Sequence, residues 1–207
     1  MTKWSLSGQP LILASASPTR ARMLDAAKLL FVIVPADIDE AAIKHSALQD
    51  GFSFEDLVIL LAELKAEAVS QQHIGYVLGC DQILVFAKQL LSKPKNLAEA
   101  RTHLFALQGR KHSLMTGCVL FHDQKRIWHH LSTSTLMMRT LSEAEIDNYI
   151  AGFPEACMST PGAYQVETGG AHLFTDISGS NYDILGLPML PLLAFLRERG
   201  LTAGKTG

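Results

Sequence analysis

The stretch Leu11-Ile-Leu-Ala-Ser-Ala-Ser-Pro-Thr-Arg20 sets the frame for the whole chain, because an apolar run halts at Ser-Pro and a basic, helix-forming segment follows. Leu11 to Leu13 predict a buried strand. Ser17 offers an oxygen to the free N–H groups of a helix from about Pro18 to Lys28, and Pro18, which lacks an N–H, suits its first position. The remaining N–H groups, the positive helix end and Arg20 would converge on one point suited to phosphate. By itself the pattern fits an ordinary helix cap as well as an anion site.

Outward from there, Phe31 to Val34 predict a strand ended by Pro35, followed by an acidic turn at Asp37-Ile-Asp-Glu40 and a polar loop over His45 to Gly51. Ser53-Phe-Glu-Asp56 has the spacing of a capping box, opening a helix with Leu57, Leu60, Leu61, Leu64 and Ala68 on one face and Lys65 off its centre. Tyr76 to Cys80 and Ile83 to Phe86 are β-prone runs with Asp81 between them, and Ala87 to Gln89 turn a hairpin back through Leu90-Leu91. Asn96-Leu-Ala-Glu99 caps a further helix ending near Gly109. His112 to Phe121 and Arg126 to Arg139 predict two long strands joined by a polar turn. Ser142-Glu-Ala-Glu145 opens another helix. In the last third Gly162, Gly169-Gly170, Gly179 and Gly186 stand where strands are expected to end, before a closing helix over Pro188 to Arg199. Strands and helices are mixed rather than strictly alternating, which predicts an α/β protein with a mixed sheet.

The 207 residues, 48% hydrophobic and 18% charged, suffice for a sizeable core. They are expected to form a single domain, 1–207, with its core at about 11–199 and tails at 1–10 and 201–207. A net charge of -2 without a Lys/Arg run speaks against long nucleic acids and anionic membranes as partners. Three cysteines without C-x-x-C spacing indicate neither a disulfide framework nor a zinc ribbon, and a reducing cytoplasm is expected. Lys3 and Ala14-Ser-Ala16 faintly imitate a secretory leader, but Ser5, Ser7, Gly8, Gln9 and Pro10 break the apolar run.

Asp81 stands out chemically: an acid among apolar neighbours needs a cation, a metal or hydrogen-bond donors to stay ionised. Arg20, Lys65 and Lys93 supply cations far apart in sequence, as a polyphosphate site requires. Asp39 and Glu40 are candidates to join Asp81 around a hard divalent ion such as Mg²⁺ or Mn²⁺. The eight His residues lack close ligand spacing, and neither a Walker A loop nor G-x-S-x-G is present.

Taken in order, Leu-Ala-Ser-Ala-Ser-Pro-x-Arg (13–20), Asp-Ile-Asp-Glu (37–40), Leu-Ala-Glu-Leu-Lys-Ala (61–66), Gly-Cys-Asp-Gln (79–82), Lys-Pro (93–94), Gly-x-x-His and Met-Thr-Gly (109–117), Gly-Ala-Tyr (162–164) and Ile-x-Gly-Ser with Gly-Leu-Pro (177–188) resemble the Maf family of nucleoside triphosphate pyrophosphatases. The resemblance implies a two-lobed α/β fold around a long mixed sheet with a nucleotide cleft between the lobes. It also implies a cytoplasmic homodimer that hydrolyses the α–β phosphate bond with a divalent metal. Asp81 matches the proton acceptor, Ser17, Arg20, Lys65 and Lys93 match phosphate-holding positions, and Glu40 with Asp81 matches the metal site.

Three departures bear on the substrate. Thr19-Arg20, Asp81-Gln82 and Glu167 differ from the branch acting on dTTP and UTP, and Gln82 and Glu167 resemble the 7-methyl-GTP type. That type usually carries Trp at the Thr19 position, and a common family Lys is replaced by Thr160. A pyrophosphatase preferring a modified or purine nucleotide is the leading expectation. A nucleotide-binding regulatory module with little turnover is the alternative.

Overall fold

The computed structural model describes residues 3–201; the remainder of the expected 201–207 tail lies outside the described residues. Strands β1 (Leu11–Leu13), β2 (Phe31–Ile33) and β3 (Tyr76–Phe86) build a parallel trio with β1 at its centre. Strand β4 (Gln89–Leu91) folds back on β3 as a hairpin. The sheet continues through β5 (Lys111–His122) and β6 (Lys125–Met138) to β7 (Phe174–Ser178), giving the order β2-β1-β3-β5-β6-β7 in a seven-stranded mixed sheet. Ala87-Lys88 and Asp123-Gln124 turn the two hairpins with positive φ at both positions, as tight two-residue loops require.

The chain resolves into two compact units. The first comprises 1–82, 116–132 and 181–207 and contains α1 (Pro18–Ala26), α2 (Glu40–Gln49), α3 (Phe54–Ser70), α7 (Asn181–Ile184) and α8 (Met189–Glu198). Strand alternation divides its core. Leu11, Leu13, Leu78, Cys80, Cys118 and Leu120 pack with Leu24 of α1 and Leu192 and Leu196 of α8. On the opposite face, Ile12, Ala14, Val77, Val119 and Phe121 pack with Ala62, Ala66 and Val69 of α3. Each fully buried leucine contributes roughly 1.5–3 kcal/mol. Residues of the expected leading tail join this unit: Leu6 is fully buried, and Trp4 exchanges backbone hydrogen bonds with Lys28 and Leu30.

The second unit comprises 83–115 and 133–180, with α4 (Leu97–Leu107), α5 (Glu143–Gly152), α6 (Pro154–Ser159) and three short 3₁₀ turns at Pro161–Ala163, Val166–Thr168 and Gly170–Leu173. His112, Tyr164 and Phe174 form an aromatic cluster there, with His112 Nε2 2.7 Å from the Tyr164 hydroxyl.

The expected caps at Ser17, Ser53, Asn96 and Ser142 are all present, the last as a full capping box. The acidic turn stays irregular up to Asp39, but the polar loop expected over His45 to Gly51 is helical as far as Gln49, the second half of α2. Asp39 caps it by accepting from the Ala42 N–H at 3.0 Å, and Ala41, Ala42, Ala47 and Leu48 carry the helix despite polar neighbours. Asp81 does not interrupt β3, which runs through it as one strand. Of the strand ends expected at the late glycines only β7 before Gly179 is found, because 161–173 bonds within successive turns rather than to a partner strand. Among the described residues no helix is long and apolar enough to cross a membrane.

Candidate active site

The site grows from a close helix–strand approach within the first unit. A Cβ at Gly79 would meet the Ala62 carbonyl oxygen and come within 2.7 Å of Ala66 N, and one at Gly117 would lie 2.6 Å from the Val58 carbonyl oxygen. Glycine therefore lets α3 lie directly on β3 and β5, which brings Lys65 of α3 beside Asp81 of β3.

Lys65 Nζ donates to Asp81 Oδ1 at 2.6 Å and pairs with Glu40 Oε1, at the start of α2, also at 2.6 Å. Its side chain is only 10% exposed, so the ammonium is held between two carboxylates and largely out of water. Two of its three donors are engaged, leaving one for a ligand. Burial works to raise the Glu40 carboxyl, but pairing with Lys65 and Lys44 outweighs it and holds Glu40 below its ordinary value. Asp81 Oδ2 is buried without a hydrogen-bond partner, an expensive arrangement for a carboxylate oxygen.

Arg20 is buried and mostly engaged with protein. Its Nε donates to the Gly186 carbonyl at 2.7 Å, and one terminal nitrogen donates to Ser15 Oγ at 2.9 Å and to the Cys80 carbonyl at 3.0 Å. Arg20 thus braces the backbone one residue before Asp81 and keeps its second terminal nitrogen for another acceptor. Ser17 caps α1, accepting from the Arg20 N–H at 3.4 Å. Gln82 Nε2 donates to Thr116 Oγ1 at 2.8 Å and to the carbonyls of Asp183 at 2.9 Å and Ile184 at 3.1 Å. Its amide is thereby committed to fixing the turn that Arg20 also grips at Gly186.

The structure brings Glu40, Lys65 and Asp81 into direct contact and links Arg20 and Gln82 to the same strand. Thr19 accepts from Arg22 on the outer first turn of α1. Asp39, weighed as a metal ligand, is instead used as the α2 cap. Lys93 and Glu167 belong to the second unit, exposed after β4 and in the turn Val166–Thr168. Thr160, where the family often has Lys, donates to the Ala156 and Tyr164 carbonyls, the latter at 2.6 Å, and so secures its own turn. Ser15, Thr116 and Asp183 were not singled out by sequence; the small hydroxyls flanking Arg20 and Gly117 were the available signal.

Among the described residues no group of three or more His, Cys, Asp or Glu is poised for a metal. The available hard donors are the carboxylates of Asp81 and Glu40. That set fits a divalent ion that completes its shell with substrate phosphates and water, as Mg²⁺ sites commonly do.

The Maf-like protein family model matches residues 10–199. A 7-methyl-GTP pyrophosphatase of Mesorhizobium japonicum is 42% identical over 95% of this chain and 99% of its own length. A nucleoside triphosphate pyrophosphatase of Rhodospirillum rubrum is 42% identical over 93% and 96%. The fold is also similar to that of the Staphylococcus aureus Ham1 protein, with a TM-score of 0.52 at 14% identity over 92% of this chain and all of that one. The chain belongs to the Maf family.

Proposed function

We propose that the chain hydrolyses nucleoside triphosphates to the monophosphate and pyrophosphate. The observation that carries this reading is the buried Lys65 held between Glu40 and Asp81, with Asp81 Oδ2 left open. Family membership and the names of the relatives favour turnover over the binding-only alternative.

In the proposed reaction the oxygen of a water molecule attacks phosphorus at the α–β anhydride, and Asp81 Oδ2 takes its proton. The bridging P–O bond breaks and pyrophosphate leaves. Lys65, positioned by its ion pairs with Asp81 and Glu40, turns its third N–H to a phosphate oxygen. Arg20, Ser17 and the N-terminus of α1 offset further charge. Asp81 and Glu40 would hold a divalent cation, Mg²⁺ or Mn²⁺, whose chemistry is to polarise phosphoryl oxygens.

For the substrate we propose a modified purine nucleotide such as 7-methyl-GTP. Glu167 would accept from a guanine edge and attract the positive charge that methylation gives the ring. Gln82, its amide nitrogen engaged, acts through the turn at Asp183 and Ile184 rather than by donating to the base. Thr19 provides no stacking surface, so discrimination falls on Glu167. A cytoplasmic homodimer completes the proposal.

The test is chromatography of products after incubation with Mg²⁺ or Mn²⁺ and a panel of common and modified triphosphates. Monophosphate plus pyrophosphate, with 7-methyl-GTP cleaved fastest, is the expected result. Tight nucleotide binding without cleavage under either metal would return the protein to the binding-module class.

A further inference from the structure

Cys80 and Cys118 lie on the neighbouring strands β3 and β5 with their sulfurs 3.0 Å apart, and both side chains are fully buried. The proposed hydrolysis does not use them. We propose that Cys80 and Cys118 are a redox pair that closes to an intramolecular disulfide under peroxide and thereby slows the site built on Asp81.

A disulfide places its sulfurs ~2.05 Å apart, so closure needs an approach of only about 1 Å shared by two strands that are already neighbours. The alternation that puts Gly79 and Gly117 against α3 puts both cysteines on the other face of the sheet, toward the leucines of α1 and α8. Either sulfur can attack, since the other lies 3.0 Å away to resolve it.

One of the two sulfurs, as its thiolate, attacks one peroxide oxygen, the O–O bond breaks, and that cysteine becomes a sulfenic acid as the first water leaves. The sulfur of the other cysteine then displaces the sulfenic oxygen as a second water. Two thiols are oxidised to one disulfide while one hydrogen peroxide is reduced to two waters. Because neither sulfur is exposed, peroxide enters during local opening of the strands and closure is slow.

The consequence rests on Asp81 acting as proton acceptor. Cys80 precedes Asp81 directly, and its carbonyl holds Arg20 at 3.0 Å. Drawing Cys80 toward β5 shifts both groups, and displacements of this size cost catalysis steeply.

The full chain, treated with hydrogen peroxide, denatured and alkylated, tests this. The expected result is a mass lower by two hydrogens, a peptide joining Cys80 to Cys118 in a non-reduced digest, and Cys157 as the only alkylated thiol. Pyrophosphate release is expected to fall about 10- to 100-fold and to return with a thiol reductant. Cys118→Ala, with Cys80→Ser should that variant fold poorly, is expected to yield no intramolecular link. Cys80 and Cys118 both alkylated after peroxide, or oxidation confined to Cys157, overturns the pair; a link that forms with activity unchanged overturns its effect on Asp81. The peptide map reads out even if the chain cleaves no nucleotide, so failure of the hydrolysis reading is distinguishable from failure of this one.

Discussion

The two units bury polar groups in opposite ways. In the first, Lys65, Asp81 and Arg20 are charged groups taken out of water and held by one another and by backbone carbonyls, with Asp81 Oδ2 left without a partner. In the second, the buried polar pair is His112 with Tyr164, and the cations Arg101 and Arg139 meet their acids at the surface. Burying paired charge is seldom the cheapest route to stability, since apolar residues of similar volume do as well or better. The difference is between buried charge in the first unit and, in the second, a neutral buried pair packed among aromatic rings.

Asp81→Asn challenges this contrast most directly. It keeps shape and removes the basic oxygen, so turnover is expected to fall about 10²- to 10⁴-fold while thermal melting stays near that of the parent. Pyrophosphate release and melting measured on one preparation separate the effects. A variant that is merely unfolded would make Asp81 a structural carboxylate.

Lys65→Met sharpens the same point from the cation's side. The methionine fills much of the space of the lysine stem but leaves Asp81 buried beside Glu40 with its pairing lost, and such a broken pair costs about 3–5 kcal/mol. Urea unfolding should show that loss. The double variant Lys65→Met/Asp81→Asn should recover part of it, because the uncompensated charge is gone.

Much of the fold was legible because its signals are local. Ser17, Ser53, Asn96 and Ser142 each announce a helix by a donor and acceptor three residues apart, and the structure keeps all four. Asp81 drew notice by its apolar flanks for the same reason. Its partnership with Lys65 was not legible, since it depends on Gly79 and Gly117 allowing α3 onto the sheet, a three-dimensional consequence of two missing side chains. Arg20 shows the same limit: sequence offered it as a free cation, whereas Gly186, far along the chain, takes its Nε–H. Helix α2 was hidden by polar composition although its cap, Asp39, stood in plain sight. The run 161–173 has neither period, because its short turns bond mainly within themselves or to the next, with Arg139 tying down the last of them at the His172 and Leu173 carbonyls.

The second unit's neutral polar pair predicts a pH response of definite sign. Burial lowers the His112 imidazole from 6.5 to about 4, so the folded protein keeps it neutral where the unfolded chain takes up a proton. The stability it contributes is complete above pH 6.5 and is lost as pH falls from there to about 4. That span amounts to about 3 kcal/mol by linkage. Urea unfolding at pH 7 and pH 4.5 should show the loss in the parent and less of it in His112→Phe, whose stability at neutral pH is lower because Tyr164 loses its partner. An equal pH dependence in both proteins would move the titrating group elsewhere.

Arg101→Ala is expected to do least, although the contact geometry looks strong. Arg101 Nε lies 2.7 Å from Asp147 and a terminal nitrogen 2.9 Å from Glu143, nearly as close as the 2.6 Å pairs of Lys65, and the acids raise its already high pKa further. All three side chains are exposed, however, so water and salt screen the attraction, and ordering three long side chains offsets what remains. Melting of the variant should match the parent at physiological ionic strength and differ slightly, if at all, only at low salt. A loss rivalling that of Lys65→Met would break the contrast between the units: charge pairs would then matter by geometry alone, and the burial of Lys65 and Asp81 would no longer distinguish the site from the scaffold.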